Sequence, residues 1–239
     1  MAKRKTKKKK MTVYQKIITI LVCVLLSYFG YYINDFLAMF TPSYAIENVP
    51  AYQGKPYVVI NHNIPNFTDE EKTLISYEHY SSLDILGRCG VASANISIDL
   101  MPEKERESIG AVKPSGWQTV KYDFVDGQYL YNRCHLIGYQ LTGENANDKN
   151  LITCTRYMNT VGMLEFENRV AKYIKETKHH VLYRVTPIYE GGNLVASGVQ
   201  MEAYSVEDHG VGVQFNVYVY NVQDGVVIDY RDGTSYVDN

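Results

Sequence analysis

The sequence predicts an α+β domain, built on an antiparallel sheet with few helices and carried behind one N-terminal apolar span. Three observations lead there. Short β-branched and aromatic runs recur between Gly, Asn and Asp turn signals. One stretch, residues 158–177, places apolar side chains at helical spacing. Residues 17–33 carry no charge, are flanked by Lys16 and Asp35, and follow a strongly basic start.

Residues 1–16 hold eight Lys/Arg and no acid, and are expected to form a basic cytoplasmic tail. Residues 17–34 then read as a transmembrane anchor, at the lower edge of the length a spanning helix needs. The competing reading is a cleavable signal segment, because Ser43-Tyr44-Ala45 has the small-x-small form of a processing site. That site lies about ten residues beyond the apolar run, so the anchor is preferred. The expected location is the cell membrane, single-pass, with the folded domain extracytoplasmic; secretion after cleavage is the alternative. Residues 35–54, with Pro42, Pro50 and Gly54, form a linker, and residues 55–239 the domain.

Within the domain, residues 56–60 read as a strand. Thr68 with Glu71 three positions on has the form of a helix N-terminus. Residues 83–90 make a turn-rich connection, residues 117–124 a strand closed by a turn at Asp126-Gly127, and residues 151–155 another strand. The helix over 158–177 would bury Met163, Phe166, Val170, Tyr173 and Ile174. Strands over 180–189 and 194–204 follow, joined by a turn at 190–193. A last hairpin runs over 213–221 and 226–230 through Asp224-Gly225.

Bulk charge argues against a high-affinity, sequence-scanning binder. The net charge of −2 becomes −10 once residues 1–16 are set aside, because 16 Lys/Arg then face 26 Asp/Glu. A catalyst needs only local charge at its cleft. The 22 Tyr against 7 Phe and 1 Trp suit a β-rich extracellular protein or a nucleic-acid stacking surface. Cys23 lies in the apolar span; Cys89, Cys134 and Cys154 allow at most one disulfide among them, and their spacing matches no zinc site.

The stretch richest in chemistry is Tyr131-Asn132-Arg133-Cys134-His135-Leu136-Ile137-Gly138, with Asn159 following at the start of the helix. The expected order is strand, loop with His, strand, helix with Asn, so that His and Asn face one cleft. Phosphodiester hydrolysis needs a base to take a proton from water, and a neutral imidazole suits that role. It also needs negative charge on phosphate offset, which a hard divalent cation and a guanidinium fork provide. A single Asn carbonyl oxygen can tether a cation that keeps most of its waters.

These residues resemble the signature of the DNA/RNA non-specific endonucleases of the ββα-metal superfamily, Asp-Arg-Gly-His, which here reads Asn132-Arg133-Cys134-His135. Further blocks are similar to the DNA-entry nuclease and streptodornase group: Leu86-Gly87-Arg88-Cys89-Gly90, Val112-Lys113-Pro114-Ser115-Gly116-Trp117, Asn150-Leu151-Ile152-Thr153, and Tyr183-Arg184-Val185-Thr186-Pro187 with Met201-Glu202-Ala203. The resemblance spans roughly residues 55–230. It implies a ββα-metal fold with a catalytic hairpin and helix, and a sequence-indifferent endonuclease. It further implies DNA and RNA as substrates, 5′-phosphate products, and Mg²⁺ with Mn²⁺ as a substitute. His135 would be the general base, Asn159 the metal ligand, Arg133 the arginine beside the base and Glu167 an acid near the metal's water shell. Asn132, Asn150, Arg156 and Arg184 would bind substrate or support the site.

Plainer readings stand beside these. Asn159 alone caps a helix, Glu167 is a helix-surface acid, Arg133 pairs with an acid, and Asn150 holds a turn. Arg156, Arg169 and Arg184 are solvated charges or ion-pair partners. Asn132 in place of Asp, and Cys134 in place of Gly, depart from the signature; Cys at a positive φ would be strained. Those departures motivate an alternative, a catalytically silent nucleic-acid-binding or interaction protein on a nuclease scaffold. A cysteine-dependent hydrolase is a weaker third reading. Oligomeric state is not set by the sequence.

Overall fold

A computed structural model describes residues 49–238 of the chain. The basic tail and the apolar span lie outside the described residues, as does most of the linker. Among the described residues no helix is long and apolar enough to cross a membrane.

Ten strands alternate with short helical pieces: β1 (Tyr57–Val59), β2 (Tyr77–Tyr80), β3 (Ala92–Ile96), β4 (Tyr131–His135), β5 (Leu151–Thr155), β6 (Val181–Ile188), β7 (Gly198–Ser205), β8 (Gln214–Tyr220), β9 (Val226–Ile228) and β10 (Ser235–Val237). Helix α1 (Tyr139–Thr142) is one turn, and α2 (Leu164–Thr177) continues from a π-helical turn at Met158–Met163. Six strands form the main antiparallel sheet in the order β1-β8-β7-β6-β3-β2. β4 and β5 make a separate two-stranded ladder, as do β9 and β10. The expected α+β class with a central antiparallel sheet is what the fold shows.

Period-two alternation divides the main sheet into two faces. One face supplies Ala94, Tyr183, Val185, Met201, Phe215 and Val217 to the core, where α2 and the β4–β5 ladder also bury their apolar sides. Phe166 of α2 packs against Phe215 and Tyr57, both with centroids 4.8 Å away. Gly162 makes this docking close: a Cβ there would stand 2.4 Å from Val219 of β8. The other face is polar at its centre, with Arg184, Glu202, Gln200 and Asn216, and the segment over residues 61–71 crosses it. Several tyrosines pack into the fold. Tyr218 and Tyr220 meet edge-on at 5.0 Å, and the hydroxyls of Tyr131, Tyr220 and Tyr230 all donate to backbone carbonyls.

Several expected elements differ. At Thr68 the capping box forms, Thr68 N–H to Glu71 Oε2 at 2.7 Å and Glu71 N–H to Thr68 Oγ1 at 3.3 Å, yet only one turn follows. No apolar face extends it, since Leu74 and Ile75 are exposed, and Arg184 draws Glu71 and Asn66 toward the sheet. Residues 117–124 are not a strand: one bridge, Lys121 to Tyr129, survives, and Tyr122 N–H and Leu130 N–H close a tight local loop. The final hairpin is also different. β8 pairs with β1 and β7, while β9 pairs with β10, so residues 213–221 and 226–230 belong to separate sheets.

Candidate active site

His135 is the last residue of β4, opposite Leu151 of β5, so it sits on the strand and not in a loop. Alternation puts Arg133 and His135 on one side of β4 and sends Cys134 into the core. His135 is 6% exposed, and its Nε2 lies 2.7 Å from the Asn145 carbonyl. A carbonyl only accepts, so Nε2–H donates and the neutral ring keeps its lone pair on Nδ1. Burial, together with the nearby positive charge of Arg106, holds the imidazole below its ordinary 6.5 despite that carbonyl. The ring is therefore neutral at physiological pH.

Asn150 fixes the chain that follows. Fully buried, its side chain accepts from Ile137 N–H at 2.9 Å and donates to Ile137 O at 3.0 Å, completing a ladder rung that the turning backbone cannot make. Asn159 comes from the opposite direction. Thr155 ends β5, and its hydroxyl accepts from Met158 N–H at 3.0 Å, starting the π turn. Eight residues along a regular α-helix leave two side chains about 80° apart. One extra residue in the π turn brings Asn159 and Glu167 to about the same azimuth. Glu167 projects from α2 against Gly138, where a Cβ would meet its Oε2 at 2.5 Å. Burial raises the Glu167 carboxyl to about 7, opposed by Gln140 and Arg106.

These groups share one cavity of about 300 Å³, lined by His135, Asn159, Glu167, Arg133 and Arg106 among others. Among the described residues, Arg133 pairs with no acid. Its Nε donates to Val112 O, its Nη2 to Gly110 O at 2.9 Å, and its plane stacks 4.0 Å from the Trp117 ring centroid. Three of its five N–H groups remain for a ligand. Among the described residues no group hydrogen-bonds the Asn159 carboxamide. A neutral amide oxygen beside one carboxylate fits a weakly held, largely hydrated hard cation; no cluster of three His, Cys, Asp or Glu able to hold a metal occurs among the described residues.

The remaining sequence candidates do not line this cavity. Asn132 faces the same way as Cys134, and its Nδ2 is buried without a partner. Arg156 pairs with Asp126 at 2.9 Å. Arg184 is across the main sheet, bonded to Glu202 at 2.9 Å and Glu71 at 3.3 Å, which makes it a structural ion-pair partner and not a phosphate contact of this cleft. Cys134 is disulfide-bonded to Cys154, so it is no nucleophile, and its φ is not positive. The sequence reading missed Arg106, hidden in the charged run Glu103-Lys104-Glu105-Arg106-Glu107, and Gly138 with Gln140, whose roles need the fold to be seen.

Residues 66–207 match the family model for the DNA/RNA non-specific endonuclease. The chain belongs to that family. A deoxyribonuclease of Streptococcus dysgalactiae subsp. equisimilis is 34% identical over 110 residues, 44% of this chain and 32% of that protein, so the chain spans about a third of this relative's length. NucA from Streptococcus agalactiae, solved with magnesium bound, superposes with a TM-score of 0.71 at 24% identity, over 81% of this chain and 94% of NucA. Sda1 nuclease, solved with bound zinc, gives 0.60 at 28% identity, over 77% of this chain and 97% of Sda1. The fold of this endonuclease-family chain is that of these nucleases.

Proposed function

We propose that the chain is a metal-dependent endonuclease that hydrolyses DNA and RNA without reading sequence, leaving 5′-phosphate ends. One observation supports this most: His135, Arg133, Asn159 and Glu167 reach a single cleft from a strand and a helix far apart in sequence. His135 Nδ1 takes the proton from the attacking water, while Asn145 O holds the ring and steadies the imidazolium that forms. The free N–H groups of Arg133 and the guanidinium of Arg106 hold phosphate oxygens. Asn159 and Glu167 would hold Mg²⁺, or Mn²⁺ in its place, and the ion would offset charge on the phosphate and the departing 3′ oxygen. Every contact goes to backbone, so bases need not be read. The basic residues 1–16 and the apolar 17–34 favour a domain anchored outside the membrane.

The test is digestion of supercoiled plasmid and of RNA by the full-length chain, with and without a chelator. Metal-dependent cleavage of both supports the reading. Retention of DNA on the protein with no cleavage at any metal concentration would replace it with the silent binding module.

A further inference from the structure

The scaffold of the cleft contains one covalent tie. Cys134 of β4 and Cys154 of β5 form a disulfide, with Cα atoms 5.9 Å apart. They are diagonal neighbours on the ladder, Cys134 facing Ile152 and Cys154 facing Asn132, and both are fully buried. Each immediately precedes a residue that builds the site. Cys134 leads into His135. Cys154 leads into Thr155, whose hydroxyl starts the turn carrying Asn159. Cys89 does not compete for the bond: it is a free, buried thiol donating to the carbonyls of Asp148 and Leu151.

We propose that the Cys134–Cys154 bridge is a redox latch on catalysis: closed, it holds His135 and Asn159 in reacting register, and open, the folded chain cleaves nucleic acid slowly. This rests on the endonuclease reading above. Opening the bond removes the covalent constraint between β4 and β5, and in a filled core the freed side chains must repack by rotation or by strand shift. A close-packed interior transmits such repacking to the residues that follow the two cysteines. Misplacement of about 1 Å at a reacting centre costs on the order of a hundredfold in rate.

The main sheet need not open for this. β4 and β5 are a ladder of their own, joined to the rest through the buried Asn221, which accepts from Thr155 N–H and donates to Thr153 O and Ala196 O. Opening is ordinary thiol–disulfide exchange. A thiolate of a dithiol reductant attacks one sulfur, the S–S bond breaks, and the other cysteine leaves as thiolate and takes a proton. The reductant's second thiol then closes on the first, freeing the remaining cysteine as a thiol. Because both sulfurs are buried, exchange needs local opening, so the latch is set as the chain matures. In a reducing compartment the chain stays nearly idle; in an oxidising one it switches on.

The test compares full-length chain refolded under oxidising and under dithiol-reducing conditions, each with the Cys134–Cys154 state verified by alkylation and peptide mapping. Reductant is removed anaerobically before the Mg²⁺-dependent plasmid assay. The expected result is a kcat lower by about tenfold or more in the reduced chain, KM within about twofold, far-UV circular dichroism unchanged, and recovery on re-oxidation. The double variant Cys134→Ala/Cys154→Ala should be slow in both conditions, and Cys89→Ser should respond like the parent. A folded reduced chain with kcat within about twofold of the oxidised one overturns the latch, as does loss of activity only in step with loss of dichroism. A chain inactive in both states overturns the endonuclease reading, and the latch with it.

Discussion

Two polar clusters flank the same sheet core, and they are built oppositely. On the outer face, Arg184 gives Nε to Glu202, Nη1 to Glu71 and Nη2 to Asn66 O, and lies 4.6 Å from the Phe67 ring centroid, while Glu202 also accepts from Asn66 N–H. Almost every donor there has its acceptor. In the cleft, among the described residues, no group hydrogen-bonds the Asn159 amide, His135 spends Nε2–H on a carbonyl, and Glu167 is buried with a raised pKa and no ion pair. A saturated cluster does structural work; an unsaturated one has capacity for a ligand. Residue type alone does not distinguish them, since Arg184 and Arg133 both sit in blocks that resemble the family.

The sharpest way to break this contrast is His135→Ala. With no base, kcat on plasmid DNA should fall by about 10³-fold or more, while the melting temperature stays near that of the parent. A variant that still degrades DNA at parental rate would remove the ring from the reaction. Arg184→Leu tests the other cluster and should do the reverse. It strands the carboxylate of Glu202, which is 3% exposed, and should cost about 3 kcal/mol of stability by urea titration. At a temperature where the variant is folded, kcat should match the parent; a catalytic defect there would return Arg184 to the substrate path.

Legibility in the sequence followed how local each cause was. The β5 strand at Leu151–Thr155 lay where a short strand was read, and the helix to Thr177 lay where helical spacing of apolar side chains put it, because both causes are local. The resemblance named His135, Arg133, Asn159 and Glu167, and the fold brings these four to one cavity. Non-local causes were not. Thr68 and Glu71 form the cap of a helix that a remote arginine prevents, and residues 117–124 leave extended form to place Trp117 beneath Arg133. The π turn that aligns Asn159 with Glu167 has no distinctive residue pattern, and the close approach of its Gly162 to Val219 depends on a strand four elements later.

Glu167→Gln probes the unsaturated character of the cleft by a smaller effect with a definite sign. Burial raises the folded carboxyl to about 7 from an ordinary 4.5, so between those values the native chain holds a proton that the unfolded chain has released. Stability conferred by the protonated form is present below the lower value and falls as pH rises through the window. Glutamine cannot ionise. In chelator at pH 8 the variant should be more stable than the parent by on the order of 3 kcal/mol, and near pH 4 the difference should vanish. Bound cation opposes the penalty in the parent, so apparent Mg²⁺ affinity should rise with pH up to about 7 and then level, a dependence that Glu167→Gln should abolish. A parent–variant difference that does not change with pH would mean Glu167 is not the group titrating.

The smallest effect is expected from Arg156→Ala, and its size is what makes it useful. Arg156 stands between β5 and the π turn, three residues from Asn159, a position that the sequence offers as a candidate phosphate contact or an ion-pair partner. Its guanidinium instead meets Asp126, which is 79% exposed, across a 2.9 Å pair at the surface. Exposed pairs of this kind contribute about 0–1 kcal/mol. Its backbone does the positioning, receiving Thr160 Oγ1–H at 2.8 Å and donating to Leu130 O at 2.7 Å, and alanine keeps both. The variant should therefore melt within about 2 °C of the parent and cleave with unaltered kcat. If KM for DNA instead rises several-fold and becomes less salt-sensitive, the guanidinium leaves Asp126 for phosphate when substrate binds, and the nucleic-acid path extends past the cleft toward the turn at Asp126.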